Sequence, residues 1–187
     1  KPGNRLLVFY HSYYDYNLSW VNALGIFSGI KLFFFDVLSL STIQNFVKEV
    51  NIFKPDFIVT FPSYLSDVAK TILEDKIVLT HFPKGIEVSG EVLSAYQREN
   101  CEKVFRTKVY DSYGSIEFGM IAHECEHQNG MHIYEDAVIV EDVKGEDDKS
   151  HLVVTRPDST EMPIVRYKVG DLGYVFHDKC ACGRTGK

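Results

Sequence analysis

Long apolar runs are missing from this 187-residue chain. No stretch approaches the roughly 20 consecutive apolar residues that cross a bilayer. No signal-peptide pattern opens it either, so a membrane partner is not expected. Positive charge is also short. Lys and Arg number 20 against 26 Asp and Glu, a formal net charge of -6. That balance disfavours a nucleic-acid surface, which needs clustered cations against phosphate. Cysteine is scarce at four, and three of the four fall in two short segments, at Cys125 and at Cys180-Ala-Cys182. Such bunching suits a reduced, cytoplasmic protein with a metal site better than a disulfide framework. Low-complexity tracts and internal repeats are absent.

What remains is the makeup of a globular protein. Hydrophobic residues are 45% and aromatics 13%, enough to bury a core in one large domain or two small subdomains. Leu6–His11 and Leu32–Val37 are short apolar runs of the kind that become strands buried on both faces. Leu18–Gly29 between them reads as a short helix. Ser41-Thr-Ile-Gln44 is a capping-box pattern, followed by Ile43, Phe46, Val47 and Val50 at helical spacing. Phe57–Phe61 reads as a strand. Ser63 is placed to cap a helix whose apolar face is Leu65, Val68, Ala69, Ile72 and Leu73. Lys76–Thr80 reads as another strand. Ser94 and Gln97 form a second capping box, with Tyr96, Cys101, Val104 and Phe105 expected inside. The run Val109–Gly119, "VYDSYGSIEFG", begins as a strand and breaks at a glycine.

This alternation predicts an α/β fold: a doubly wound, mostly parallel sheet over residues 1–130. After that the pattern changes. Ile133–Val143, Leu152–Thr155 and Ile164–Phe176 are strand-like and joined by polar turns, which predicts a small antiparallel β subdomain over 131–187. The acidic stretch "EDVKGEDDKS" reads as a solvated hairpin turn.

Ligands of an open parallel sheet bind beyond the carboxyl ends of its strands. Three loops pair a glycine with an acid: Gly90-Glu91, Tyr113-Gly114-Ser115-Ile116-Glu117, and Arg166 to Leu172 with Gly170-Asp171. Glycine lets backbone approach a ligand. A carboxylate there can hold a cation or accept bonds from ribose, and Tyr113 can stack on a base. Taken singly, each loop is also an ordinary turn.

Together the motifs carry a resemblance. "YDSYGSIEFG", "AHECEHQNGMHIYED", "MPIVRYKVGDLG" and "CACGRTG" occur in that order, with "PSYLSDVAK" and "VSGEVLSAYQRENCEKVF" upstream. From about Pro62 onward the chain resembles the phenylacetate–CoA ligase and capsule-biosynthesis branch of the adenylate-forming enzymes. The resemblance implies a two-step reaction. ATP and a small carboxylic acid, aryl or related, give an acyl-AMP, which passes to a thiol such as coenzyme A. It implies that Tyr113 and Gly114 line the adenine and acyl pockets, and that Gly90 and Glu91 border the adenine. Ser115 then sits near the phosphates, Glu117 holds Mg²⁺, Asp171 accepts from the ribose hydroxyls, and Arg166 supports that loop. The family's Ser/Thr/Gly-rich phosphate loop is not in this sequence, and neither is its C-terminal lysine-bearing domain. The expectation is a central piece of a longer enzyme, inactive alone. Oligomeric state is left open.

Cys125, Cys180 and Cys182 supply three thiolates for a closed, tetrahedral structural Zn²⁺ site. The resemblance includes a histidine at His132, the first choice for the fourth ligand, with His127 next and His123 behind. Two further readings keep the fold: a nucleotide-binding module without catalysis, and a zinc-stabilised interaction module. In the dense aromatic stretch "YHSYYDYNLSW", the resemblance makes Tyr14 and Tyr16 candidate acyl-site residues, but a surface loop with its rings packed on the core is the favoured reading. His11 and His81 read as structural, and Cys101 as core.

Overall fold

The computed structural model describes residues 4–11, 29–158 and 162–187. The expected helix at 18–29 and the aromatics Tyr14 and Tyr16 lie outside the described residues. The chain divides into two compact units, Lys1–Tyr110 and Asp111–Lys187. Among the described residues, no helix is long and apolar enough to cross a membrane.

The first unit holds β1 (Leu6–His11), β2 (Ile30–Phe35), α1 (Leu40–Phe53), β3 (Phe57–Thr60), α2 (Pro62–Glu74), β4 (Gly85–Ser89) and α3 (Ala95–Phe105). Its strands run in the order β2-β1-β3-β4, and each of these pairings is parallel. The chain thus steps outward from β1 to β2, then returns past β1 to β3 and β4. That reversal is the doubly wound pattern expected from the sequence. Crossovers that advance in one direction fall on one face when right-handed, and α1–α2 and α2–α3 do pack side by side. Leu7, Phe9, Ile58, Ile86 and Val88 of the strands close on Phe46, Val50, Leu65, Val68 and Phe105 of the helices.

Local chemistry moved some boundaries. The cap of α1 is Ser39, not Ser41: the Ser39 hydroxyl accepts from the Thr42 N–H. Lys54 ends that helix in a left-handed conformation before Pro55. α2 has no side-chain cap and starts with Pro62 at its first turn, a position where the missing N–H costs nothing. Leu73 and Tyr96, expected inside, are exposed. The Ser94–Gln97 capping box is formed as expected. Lys76–Thr80 is not a strand. The Asn51 side chain holds it instead, accepting from the N–H groups of Thr80 and His81 and donating to the Val78 carbonyl. The fourth parallel strand is Gly85–Ser89. The His81 ring contacts the Pro55 carbonyl at 2.7 Å, a structural role.

β5 (Val109–Ser115) carries the chain into the second unit, which adds β6 (Gly119–Glu124), β7 (Met131–Ile133), β8 (Ile139–Lys144), β9 (Ser150–Arg156) and β10 (Ile164–Leu172). There β5-β6-β7 form one antiparallel ladder and β10-β9-β8 a second. The expected strand at 133–143 is split by a turn, in which Ala137 and Val138 N–H both donate to the Tyr134 carbonyl. The acidic stretch does form the β8–β9 hairpin turn. Phe118, Ile121, Val138 and Val154 make the core of this unit.

Candidate functional site

In the first unit, Gly90 follows β4 at φ +81. A Cβ there would lie 2.6 Å from the Phe61 ring, so the loop depends on glycine. The Glu91 carboxylate accepts from the Ser63 N–H and the Ser63 hydroxyl, both at 2.9 Å. An acid at this end of α2 satisfies a helix donor and meets the positive end of the helix dipole.

In the second unit, β5 and β6 form a hairpin with a register shift between Tyr113 and Gly114. A Cβ on Gly114 would collide with the Gly119 carbonyl oxygen, so only glycine fits. Phe118 is buried beneath the turn, while Ile116 and Glu117 are exposed. The acid that looks enclosed in sequence is thus presented outward. Its carboxyl is held below the usual range by a hydrogen bond from its own backbone N–H, then by the Ser115 and Tyr167 hydroxyls. Tyr167 of β10 reaches Glu117 Oε1 at 3.5 Å. The Arg156 guanidinium donates to the Glu117 and Phe118 carbonyls at 3.4 and 3.2 Å, fixing the turn from below.

Asp171, at the end of β10, accepts at Oδ2 from the Tyr113 hydroxyl at 2.6 Å. Tyr113 is half-buried, and its phenol is raised well above the ordinary value, mainly by burial and then by Asp171. It therefore keeps its proton and stays a donor. Both residues border a cavity of about 610 Å³ whose other walls include Ile121, Ile133, Val140 and Phe176. Arg166 does not join this pair. It sits at φ +49, donates its N–H to Thr155 Oγ1, and faces Glu141 of β8 at 3.5 Å. Arg156 and Tyr167 were not singled out in the sequence. Arg156 lies outside the glycine–acid loops and Tyr167 inside one, and only the strand pairing brings them to Glu117.

A second constellation lies in the same unit. Cys125 follows β6, His132 lies on β7, and Cys180 and Cys182 lie in a tight turn closed by Gly183 N–H to the Cys180 carbonyl. Their ligand atoms all fall within 4.8 Å of one another. Cys125 Sγ is 3.8 Å from Cys180 Sγ, and Cys182 Sγ is 3.3 Å from His132 Nε2. His127 instead approaches Glu126, and His123, although opposite His132 in the ladder, is not in the cluster. All four cysteines are free thiols. Metal–sulfur bonds of about 2.3 Å in a tetrahedron give sulfur separations of about 3.8 Å, the spacing of the Cys125–Cys180 pair, so the donor set is one that could hold Zn²⁺. The Cys180 thiol is drawn below its ordinary value, chiefly by the Cys182 N–H, while burial first of all raises Cys125.

Several known proteins resemble this chain over most or all of its length. Phenylacetate-coenzyme A ligase of Thermus thermophilus is 27% identical over 202 aligned positions, covering 99% of this chain and 43% of that enzyme. Protein CapK of Staphylococcus aureus is 26% identical over 130 positions, covering 69% of the chain and 28% of CapK. A solved 2-hydroxyisobutyryl-CoA ligase, in complex with its acyl-AMP and CoA, superimposes with a TM-score of 0.75 at 25% identity, over all of this chain and 42% of that one.

The chain resembles the phenylacetate–CoA ligase branch of the adenylate-forming enzymes in sequence and shares their fold. No family model matches it. It spans less than half the length of the curated relatives it matches. The mixed sheet with its helices and the smaller antiparallel sheet match the adenylate-forming fold.

Proposed function

We propose that the full-length protein is an ATP-dependent acid–thiol ligase. It activates a small carboxylic acid, aryl or related, as acyl-AMP and passes the acyl group to coenzyme A or another thiol. The observation that carries this reading is the pair of tethered carboxylates, Glu117 and Asp171, in one β unit of this fold. Asp171 of β10 lies beside the Tyr113 hydroxyl of the β5–β6 hairpin, and Glu117 in that hairpin's turn lies beside the Tyr167 hydroxyl of β10. Similarity to ligases of known activity supports it further.

The chemistry asks little of protein nucleophiles, because the substrate carboxylate attacks the α-phosphorus itself and pyrophosphate leaves. What the chain must supply is positioning and charge. Asp171 is to accept from the ribose hydroxyls, and Gly90, Glu91, Tyr113 and Gly114 to border the nucleoside and the acyl group. Ser115 is to face the phosphates. Glu117, ionised and exposed, is an apt hard-oxygen ligand for Mg²⁺, which neutralises phosphate charge when bound. Zn²⁺ at Cys125, His132, Cys180 and Cys182 has a structural role, since four protein ligands leave no open position for water. Free thiols suit a reducing, cytoplasmic setting.

The test is pyrophosphate release by the full-length protein across a panel of aryl and aliphatic acids, with and without coenzyme A. Selective release with one class of acid supports the reading and names the substrate. No release with any acid, in a protein that still binds ATP, favours a nucleotide-binding module instead. This 187-residue stretch alone is expected to show no ATP–pyrophosphate exchange.

A further inference from the structure

The Tyr113 hydroxyl spends its one proton on Asp171 Oδ2 at 2.6 Å, across 58 residues of sequence. A short O–H···O⁻ bond to a carboxylate is among the stronger hydrogen bonds a side chain makes. Asp171 is exposed at the end of a strand. A carboxylate in that position can rotate about its last torsion, and that torsion is broad. The Tyr113 ring is half-buried on β5, beside the point where Gly114 must be glycine to clear the Gly119 carbonyl. The donor is therefore anchored and the acceptor is not. The bond takes up one of the roughly four lone-pair sites of the carboxylate and leaves the others with a fixed direction.

We propose that Tyr113 is a positioning residue that orients Asp171 for the cis-diol of the nucleotide ribose, so that discrimination between ribose and deoxyribose resides in its hydroxyl. The inference rests on the reading of Asp171 as the ribose acceptor. It adds a role to Tyr113 beyond that of a flat wall for the base. Two adjacent hydroxyls need two acceptor directions at once. An oriented carboxylate provides them without an ordering cost at binding, whereas a rotating one must be immobilised by the ligand itself.

The experiment uses the full-length protein and compares kcat/KM for pyrophosphate release with ATP, 2′-deoxy-ATP and 3′-deoxy-ATP. Dissociation constants for AMP and 2′-deoxy-AMP provide a second readout. Tyr113→Phe removes only the hydroxyl and keeps the ring. The preference for ATP over the deoxynucleotides is expected to shrink by about tenfold, the size of one charge-assisted hydrogen bond. Values for the deoxynucleotides should fall less than those for ATP. Asp171→Asn should abolish most of the preference, and adding Tyr113→Phe to it should change the ratio no further. If Tyr113→Phe lowers all three nucleotides equally and leaves the ratio intact, the hydroxyl serves packing alone and the inference is overturned. If the unaltered protein binds nucleotides without telling ribose from deoxyribose, the reading of Asp171 falls and takes the inference with it. These two failures are distinct, because the second appears before any substitution is made.

Discussion

Cys125 Sγ and Cys180 Sγ lie 3.8 Å apart although 55 residues separate them. The spacing matches the edge of a zinc–thiolate tetrahedron and is too long for a disulfide bond, and His132 and Cys182 complete a four-residue cluster that could hold a metal ion. Purified full-length protein is expected to carry one Zn²⁺ per chain by elemental analysis. Chelation, or Cys180→Ser, should lower its melting temperature, with a loss on the order of several kcal/mol. Metal-free protein that melts unchanged would exclude a structural site.

Acid should release this metal. Thiolates are the ligands, so protons compete for them, and zinc affinity falls with falling pH. Without metal, Cys180 is the thiol drawn below its ordinary value and Cys125 the one raised. The Cys180 contribution to folding is thus present at high pH and fades as pH falls through its lowered value, opposite in sign to that of Cys125. Cys101 is buried and pushed up to about 12 by that burial. Iodoacetamide labelling read by mass spectrometry should find Cys101 unmodified at neutral pH. The three cluster cysteines should be labelled after chelation and protected by added Zn²⁺.

Glu117 titrates below the usual carboxylate range because donors from its own N–H, Ser115 and Tyr167 favour the charged form. Its folded value is depressed, so its charge persists through neutral pH and is lost only in acid. Between pH 6 and 8, well above the usual glutamate value of about 4.3, any pH dependence of pyrophosphate release should come from other groups. Glu117→Gln is expected to cut release by about 10²–10³ at every pH in that window, the usual loss for one electrostatic stabiliser. A drop of less than threefold would remove Glu117 from the site.

Arg156 braces the same turn through two backbone carbonyls. Arg156→Ala should raise the Mg²⁺ concentration needed for half-maximal release by about tenfold, since hydrogen bonds from a charged donor are worth about 1.5–3 kcal/mol. Arg156→Lys, with one donor point in place of a planar fork, should fall between the two. A Mg²⁺ titration of the three proteins checks the order.

Two glycines five positions apart, flanking the same turn, should respond differently to alanine. At Gly114 the added Cβ meets the Gly119 carbonyl, which the strand ladder holds in place. A loss of about 1–3 kcal/mol is expected, as for other overpacked positions. At Gly119 there is space, but φ is +70, and the cost should be only about 1–2 kcal/mol from backbone strain. Denaturant melts of the full-length protein measure both.

Much of the frame was legible in advance. The apolar stripe Ile43, Phe46, Val47 and Val50 is buried as its spacing requires, and the Ser94–Gln97 box caps α3. Helix periodicity and capping are local, so a sequence states them directly. Lys76–Thr80 misled because β-propensity cannot see that Asn51, on a helix far earlier, takes up the backbone groups a strand partner would need. Ser63 reads as a cap by residue type, yet its N–H and hydroxyl are engaged by Glu91, 28 residues later.

The division at the site follows the same line. By itself the sequence determined which residues are candidates for chemistry: the glycine–acid loops, the CxC turn and a histidine nearby. These are properties of residue type and short spacing. Only the tertiary structure decided which of them meet. It brought His132 rather than His127 to the cysteines, turned Arg166 toward Glu141, enlisted Arg156 under the Glu117 turn, and joined Tyr113 to Asp171. Those choices depend on strand register, which fixes the face a side chain occupies, and no local stretch of the chain contains that information.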